Sequence, residues 1–216
     1  MKTILLQPQS RRWLLFGIFM LYCLFNVSAQ RVEVHVLKDL STNSIVNKAW
    51  GAGGAVDLDQ WVKNTTFRIN FNWAMYKKND EIKHNYQRFS GGVSAFYSVN
   101  VQEKISLQFG AEANFTGLKH SYRYGTEEVD PTSATGAAKY ITLQQNGNFI
   151  GIGPHIGARY AFGPRVSLVF NFVPTYLISV GYKSSLRNVD PEYDKGIWIF
   201  PLQLGLSIRL FNPDSQ

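Results

Sequence analysis

The chain of 216 residues contains one cysteine, Cys23. A disulfide framework and a multi-thiolate zinc site are thereby excluded. Charge is also sparse, with Asp, Glu, Lys and Arg making up 17% of the residues, against ~25% in soluble domains. Aromatic residues reach 14%, which argues against a disordered chain and against a nucleic-acid-binding tail. Acidic residues are the scarcer sign, 15 against 22 Lys and Arg, for a formal net charge of +7. No Gly-x-Ser-x-Gly elbow occurs, and His35, His84, His120 and His155 never pair at metal-ligand spacing. The expectation is a non-enzymatic protein without cofactor or metal.

The first segment reads as an export signal. Lys2, Arg11 and Arg12 precede an apolar run from Trp13 to Phe25, and Val27-Ser28-Ala29 supplies the small side chains of a cleavage site. The run is 13 residues long, short of the ~20 that a spanning helix needs. Residues 1–29 are thus expected to be removed. The remaining chain would carry 19 basic and 15 acidic residues, a balance of +4, and no cysteine.

After residue 29 no apolar segment reaches the ~18 residues of a helical membrane span. What recurs instead is alternation. Phe67, Ile69, Phe71, Trp73 and Met75 form one apolar face; Ile105, Leu107, Phe109, Ala111, Ala113 and Phe115 form another. The same parity holds from Ile150 to Phe162, from Val166 to Val180, and through Trp198, Phe200, Leu202, Leu204, Leu206, Ile208 and Leu210. Such runs match or exceed the ~9–11 residues of a strand crossing a bilayer at a tilt. Eight strands are expected, near 31–40, 48–59, 65–77, 86–100, 104–118, 148–162, 165–181 and 196–211. Short connections (60–64, 101–103, 163–164) alternate with longer ones (41–47, 78–85, 119–147, 182–195). That alternation marks an even-stranded transmembrane barrel with short turns at one end and long loops at the other.

The opposite parity distinguishes this barrel from a soluble, lipocalin-like carrier. It is mostly Gly, Ser, Asn, Thr and Gln, which suits the cramped lumen of eight strands better than a water-facing surface. Trp50, Trp73, Tyr76, Tyr160, Phe162, Tyr176, Trp198 and Phe211 lie toward strand ends, as interfacial girdles do. The last strand, Gly205-Leu206-Ser207-Ile208-Arg209-Leu210-Phe211, together with the signal and eight amphipathic strands, resembles the small bacterial outer-membrane barrels of the OmpA/OmpX-like and PorT-like porin families. The resemblance implies an all-β, eight-stranded antiparallel up-and-down transmembrane β-barrel over 30–211, integral to the outer membrane, followed by a short tail at 212–216. It also implies outer-membrane lipid around the barrel and recognition of Gly205 to Phe211 by the barrel-assembly machinery. An envelope protein partner is a further expectation, and nucleic acid is not.

Several motifs are weighed against this frame. Gly151-Ile152-Gly153-Pro154-His155-Ile156-Gly157 spells a dinucleotide fingerprint, but alternation continues through it where a helix should begin. Its glycines share a parity with His155 and Arg159 and so face the lumen. Arg68, Arg88, Glu112, His155, Arg159 and Arg209 form the expected lumen network, with Glu112 reaching His155 on the neighbouring strand and Arg88 on its other side. Asp190-Pro191-Glu192-Tyr193-Asp194 lacks the spacing of a calcium loop. Tyr122, Arg123, Tyr124 and Tyr193, in the loops 119–147 and 182–195, are the candidate contacts for a surface or a partner. Three alternatives stay open: an accessory barrel of a secretion apparatus, a lipid-modifying enzyme using His120 with Ser121 or His84 with Ser90, and a soluble lipocalin-like carrier.

Overall fold

Strand-forming β-branched and aromatic residues fall on one parity and small polar residues on the other, so each strand presents two chemically distinct faces. The computed structural model describes residues 30–41, 46–79, 83–129, 138–184 and 196–210. The expected signal (1–29), Tyr193, Phe211 and the tail (212–216) lie outside them. The strands are β1 (Gln30–Leu40), β2 (Trp50–Val62), β3 (Thr65–Asn79), β4 (Lys83–Gln102), β5 (Ile105–Val129), β6 (Ala138–Ala161), β7 (Val166–Phe172), β8 (Thr175–Ser184) and β9 (Ile197–Arg209).

Every pairing is antiparallel, and neighbours in the chain are neighbours in the sheet from β1 to β6. β1 also pairs with β9, from Arg31 opposite Arg209 to Leu40 opposite Phe200, which closes the sheet into a ring. β7 and β8 are two halves of a single stave, since both run between β6 and β9. The break falls at Val173–Pro174, where Pro174 has no N–H to give to a ladder. The protein is therefore an eight-staved antiparallel up-and-down barrel of the transmembrane type. At the break Gly153 is required: a Cβ there would overlap the Pro174 carbonyl oxygen and stand 2.8 Å from its carbonyl carbon.

The faces are inverted relative to a soluble protein. Val34, Phe71, Val93, Phe115, Ile152 and Leu206 are exposed on the outside, Phe71 to 68%. Glu33, Asp57, Arg68, Arg88 and Glu112 are buried inside. At the loop end Trp73 stacks on Phe89 (6.2 Å) and Trp198 packs on Tyr176 (5.2 Å) and Phe200 (6.1 Å). At the turn end Tyr160 meets Phe162 (5.3 Å), and the Tyr97 hydroxyl accepts from Asn64 Nδ2 at 3.1 Å. Tyr76 departs from the expected girdle: it shares the inward parity of Asn72 and Ala74 and packs on the interior apolar cluster.

Several strand boundaries differ from the sequence reading. β5 and β6 are 25 and 24 residues long and are paired up to Val129 opposite Ala138. Most of the expected 119–147 loop is thus a hairpin. β4 likewise begins at Lys83 and β2 runs to Val62, through a register shift between Asp59 and Val62.

Gly153→Val should cost the folded barrel about 1–3 kcal/mol, because backbone must move to admit the side chain. Gly163→Ala, which meets nothing within 4 Å, should be neutral. Urea unfolding of both variants refolded in detergent measures the difference.

Candidate functional site

The lumen is filled in tiers contributed by alternate residues of facing strands. In the tier nearest the short turns, Arg68 donates from Nε to Asp57 Oδ1 (2.7 Å) and from Nη2 to Glu33 Oε2 (2.7 Å) and Asp57 Oδ2 (3.1 Å). Arg159 Nη2 donates to the same Asp57 Oδ2 at 2.7 Å from across the ring. Glu33 Oε1 also accepts from Asn171 Nδ2 (3.2 Å) and lies 3.1 Å from His35 Nδ1, while His35 Nε2 lies 2.7 Å from Asn72 Oδ1. Two carboxylates and two guanidiniums are thereby matched in a buried site. Such a cluster is stable only when each charge is paired and hydrogen-bonded.

Above it, Glu112 accepts from Asn70 Nδ2 (2.8 Å) and Asn114 Nδ2 (3.2 Å). The expected Glu112–His155 pair is not formed. The register sets Glu112 opposite Gly153 and His155 opposite Gly110, nearer the turns. The strands are staggered, so equal counts from the turns do not give equal heights. The His155 ring instead stacks on Phe96 at 4.7 Å, and Arg68 covers the same phenyl ring at 5.1 Å. Arg88 also turns away from Glu112: it makes two bonds to Asp39, at 2.9 and 2.6 Å, and donates from Nη1 to Ser90 Oγ at 2.9 Å. At this level Leu37, Ala74, Tyr86, Leu118, Phe149, Leu177 and Ile199 form a buried apolar cluster. Arg209 sits half-buried at the turn-end mouth. The Glu33, Asp39 and Asp57 carboxylates were missed in the sequence. Each lies in a strand with a faint apolar signal, and only strict parity with His35 or Ala55 would have found them.

The enzyme candidates are not assembled. His120 is buried and meets Tyr86 edge-on at 6.3 Å, while Ser121, the next residue of the strand, projects to the opposite face. Ser90 is held by Arg88, and the side chain of His84 lies outside the described residues. Of the contact candidates, Arg123 is exposed on β5, opposite Lys83 and Thr142. Tyr122 and Tyr124 belong to the same strand, with side chains outside the described set, and Tyr193 lies outside it altogether. Among the described residues no group of three His, Cys, Asp or Glu is placed to hold a metal ion.

No family profile and no curated protein sequence matches the chain. Solved structures resemble it in fold. A major outer membrane protein of Thermus thermophilus superposes with a TM-score of 0.55 at 12% identity, over 83% of this chain and 99% of that one. Neisserial surface protein A gives 0.48 at 17% identity, over 84% and 94%. The attachment invasion locus protein Ail of Yersinia pestis gives 0.48 at 10% identity, over 84% and 98%. The Thermus likeness establishes that the fold is that of an outer-membrane β-barrel.

Asp57→Asn leaves Arg68 and Arg159 sharing one neutral oxygen in a buried site and should destabilise the barrel by about 3–5 kcal/mol. Glu112→Gln loses one of two amide bonds and should cost about 1 kcal/mol. Denaturant midpoints of the two variants give the ranking, and equal costs would refute the assignment of the lower tier as the principal lumen cluster.

Proposed function

We propose that the protein is a non-enzymatic, integral barrel of the bacterial outer membrane whose filled lumen is structural and whose projecting hairpin serves surface or partner recognition. The observation that carries this reading is the inversion of polarity. A closed ring with paired arginines and carboxylates inside and Val, Ile, Leu and Phe outside is stable only where the surroundings are apolar. The tiers of ion pairs and the apolar cluster leave a lumen of eight strands without room for a continuous water column, which argues against a diffusion pore.

Recognition is assigned to the β5–β6 hairpin on its geometry. Among the described residues, β4 pairs with β5 as far as Lys83 opposite Arg123, and β8 pairs with β6 as far as Ser184 opposite Gln145. β5 and β6 continue together to Gly125 opposite Tyr140 and beyond. Among the described residues these outer rungs pair beyond both positions, and we assign recognition to them. The last strand, from Gly205, is the segment assigned to the assembly machinery.

Phe71→Arg, at mid-strand on the outer face, should destabilise the barrel in lipid by about 2–4 kcal/mol, whereas Lys77→Glu at the strand end should have little effect. In planar bilayers the protein should show no large, steady conductance; a stable open-channel current would refute the filled lumen. Replacing residues 124–139 by a tight turn should preserve heat-modifiable gel migration but abolish binding of the intact cell to its surface or envelope partner. Retained binding would move recognition elsewhere.

A further inference from the structure

The mouth opposite the hairpin opens into a cavity of about 900 Å³. Arg31, Lys63, Lys104, Arg159, Arg165 and Arg209 line it, and Glu103 is the one acidic residue among the described lining residues. Thr66, Ser98, Asn100, Ser106 and Ser167 add neutral hydrogen-bonding groups. Such a concentration of one sign departs from the tier beneath it, where each carboxylate is shared with arginine.

The rim is fixed rather than a loose set of surface lysines. Ser98 N donates to Asn64 O, Ala161 N to Lys104 O and Arg209 N to Arg165 O, each at 2.8 Å. These bonds tie each short turn to a neighbouring stave. The floor is formed by Arg159, only 7% exposed. Its Nη2 is committed to Asp57, but its Nε is buried with no acceptor among the described residues, and the same holds for Arg209 Nε. Buried guanidinium donors without acceptors imply an anion or solvent to receive them. Asp57 already accepts three bonds from the two arginines.

We propose that this turn-end mouth is a binding site for a small, multiply charged anion of the phosphate class. Guanidinium forks match phosphate oxygens in pairs, and lysines add unoriented charge around them. The volume falls within the ~300–1,000 Å³ of small-molecule sites, and the closed floor excludes a threading polymer. The phosphate can arrive on a soluble ester along the barrel axis or on a lipid headgroup bent over the rim.

The full barrel in phosphatidylcholine nanodiscs is titrated with inorganic pyrophosphate, followed by calorimetry and by the NMR signals of the arginine Nε–H groups. Saturable binding that moves the Arg159 and Arg209 signals is expected. The triple variant Lys63→Gln, Lys104→Gln, Arg165→Gln should bind at least about tenfold more weakly, a loss of some 1.4 kcal/mol. These are exposed turn positions, and heat-modifiable migration verifies that the variant folds. Lys77→Gln with Arg123→Gln, at the other end, should leave binding unchanged. In phosphatidylglycerol nanodiscs a headgroup occupant would shift the same arginine signals before titrant is added and weaken pyrophosphate; a soluble occupant would do neither. Absence of saturable binding together with unshifted signals in both discs overturns the proposal. Binding indifferent to the rim variant does so too, as does tighter binding of an Asp/Glu-rich peptide than of pyrophosphate.

Discussion

A sheet escapes having edges only when its first and last strands meet, and in this protein that meeting depends on β1. In lipid each unpaired backbone group costs several kcal/mol, so the ladder from Arg31–Arg209 to Leu40–Phe200 is indispensable. β1 has a weak apolar face, built on Val32, Val34 and Val36. It is held from within. Glu33 is bound to Arg68 on β3, and Asp39 to Arg88 on β4, both from across the lumen. The seam is also relieved sterically: His35 lies opposite Gly53 on one side and Gly205 on the other. A Cβ at Gly205 would stand 2.6 Å from His35 Cβ. Closure and the buried charge network are thus one device, with the strand that completes the ring supplying two of the carboxylates that pin it.

The narrowness of eight strands then dictates how the interior is arranged. Side chains from opposite staves meet, and each tier must be complete in itself. Arginine suits this because its length spans part of the lumen and its fork serves two acceptors, as Arg68 does with Asp57 and Glu33. Phe96, enclosed between Arg68 and His155, supplies an apolar body between the two. Toward the loop end the ion pair of Arg88 gives way to an apolar cluster, and toward the turns the pairing runs out and cationic residues predominate. The lumen therefore has a direction, with one end sealed by apolar packing and the other presenting charge.

The fold was legible because parity is a local property that lipid enforces. Phe67 to Met75 and Ile105 to Phe115 keep one wholly apolar parity, and the last strand can be read residue by residue. What parity cannot report is stagger, which depends on the whole ring; hence Glu112 was matched to His155 although the register places it opposite Gly153. Parity also falls silent once a strand leaves the apolar zone, so the outer halves of β5 and β6 read as loop. The break at Val173–Pro174 was hidden because both halves keep the same outward parity, Phe172 before it and Tyr176 after it. Glu33 and Asp57 went unnoticed because their strands carry little apolar contrast, although they complete the tier that Arg68 and Arg159 begin.

A wholly apolar interior of equal volume would rival these ion pairs in stability, since desolvation offsets much of their attraction. It would not, however, tell the chain which face belongs outside. With valine and leucine on both parities, a one-residue slip would be nearly free of cost. With Arg68 and Asp57 inside, the same slip turns a guanidinium and a carboxylate toward lipid and brings Phe67 and Ile69 into a lumen sized for other side chains. An arginine on the lipid face costs about 2–4 kcal/mol at mid-membrane, and several staves would pay it together. The paired charges thus act less as a source of net stability than as the constraint that fixes register, and through register the seam between β1 and β9.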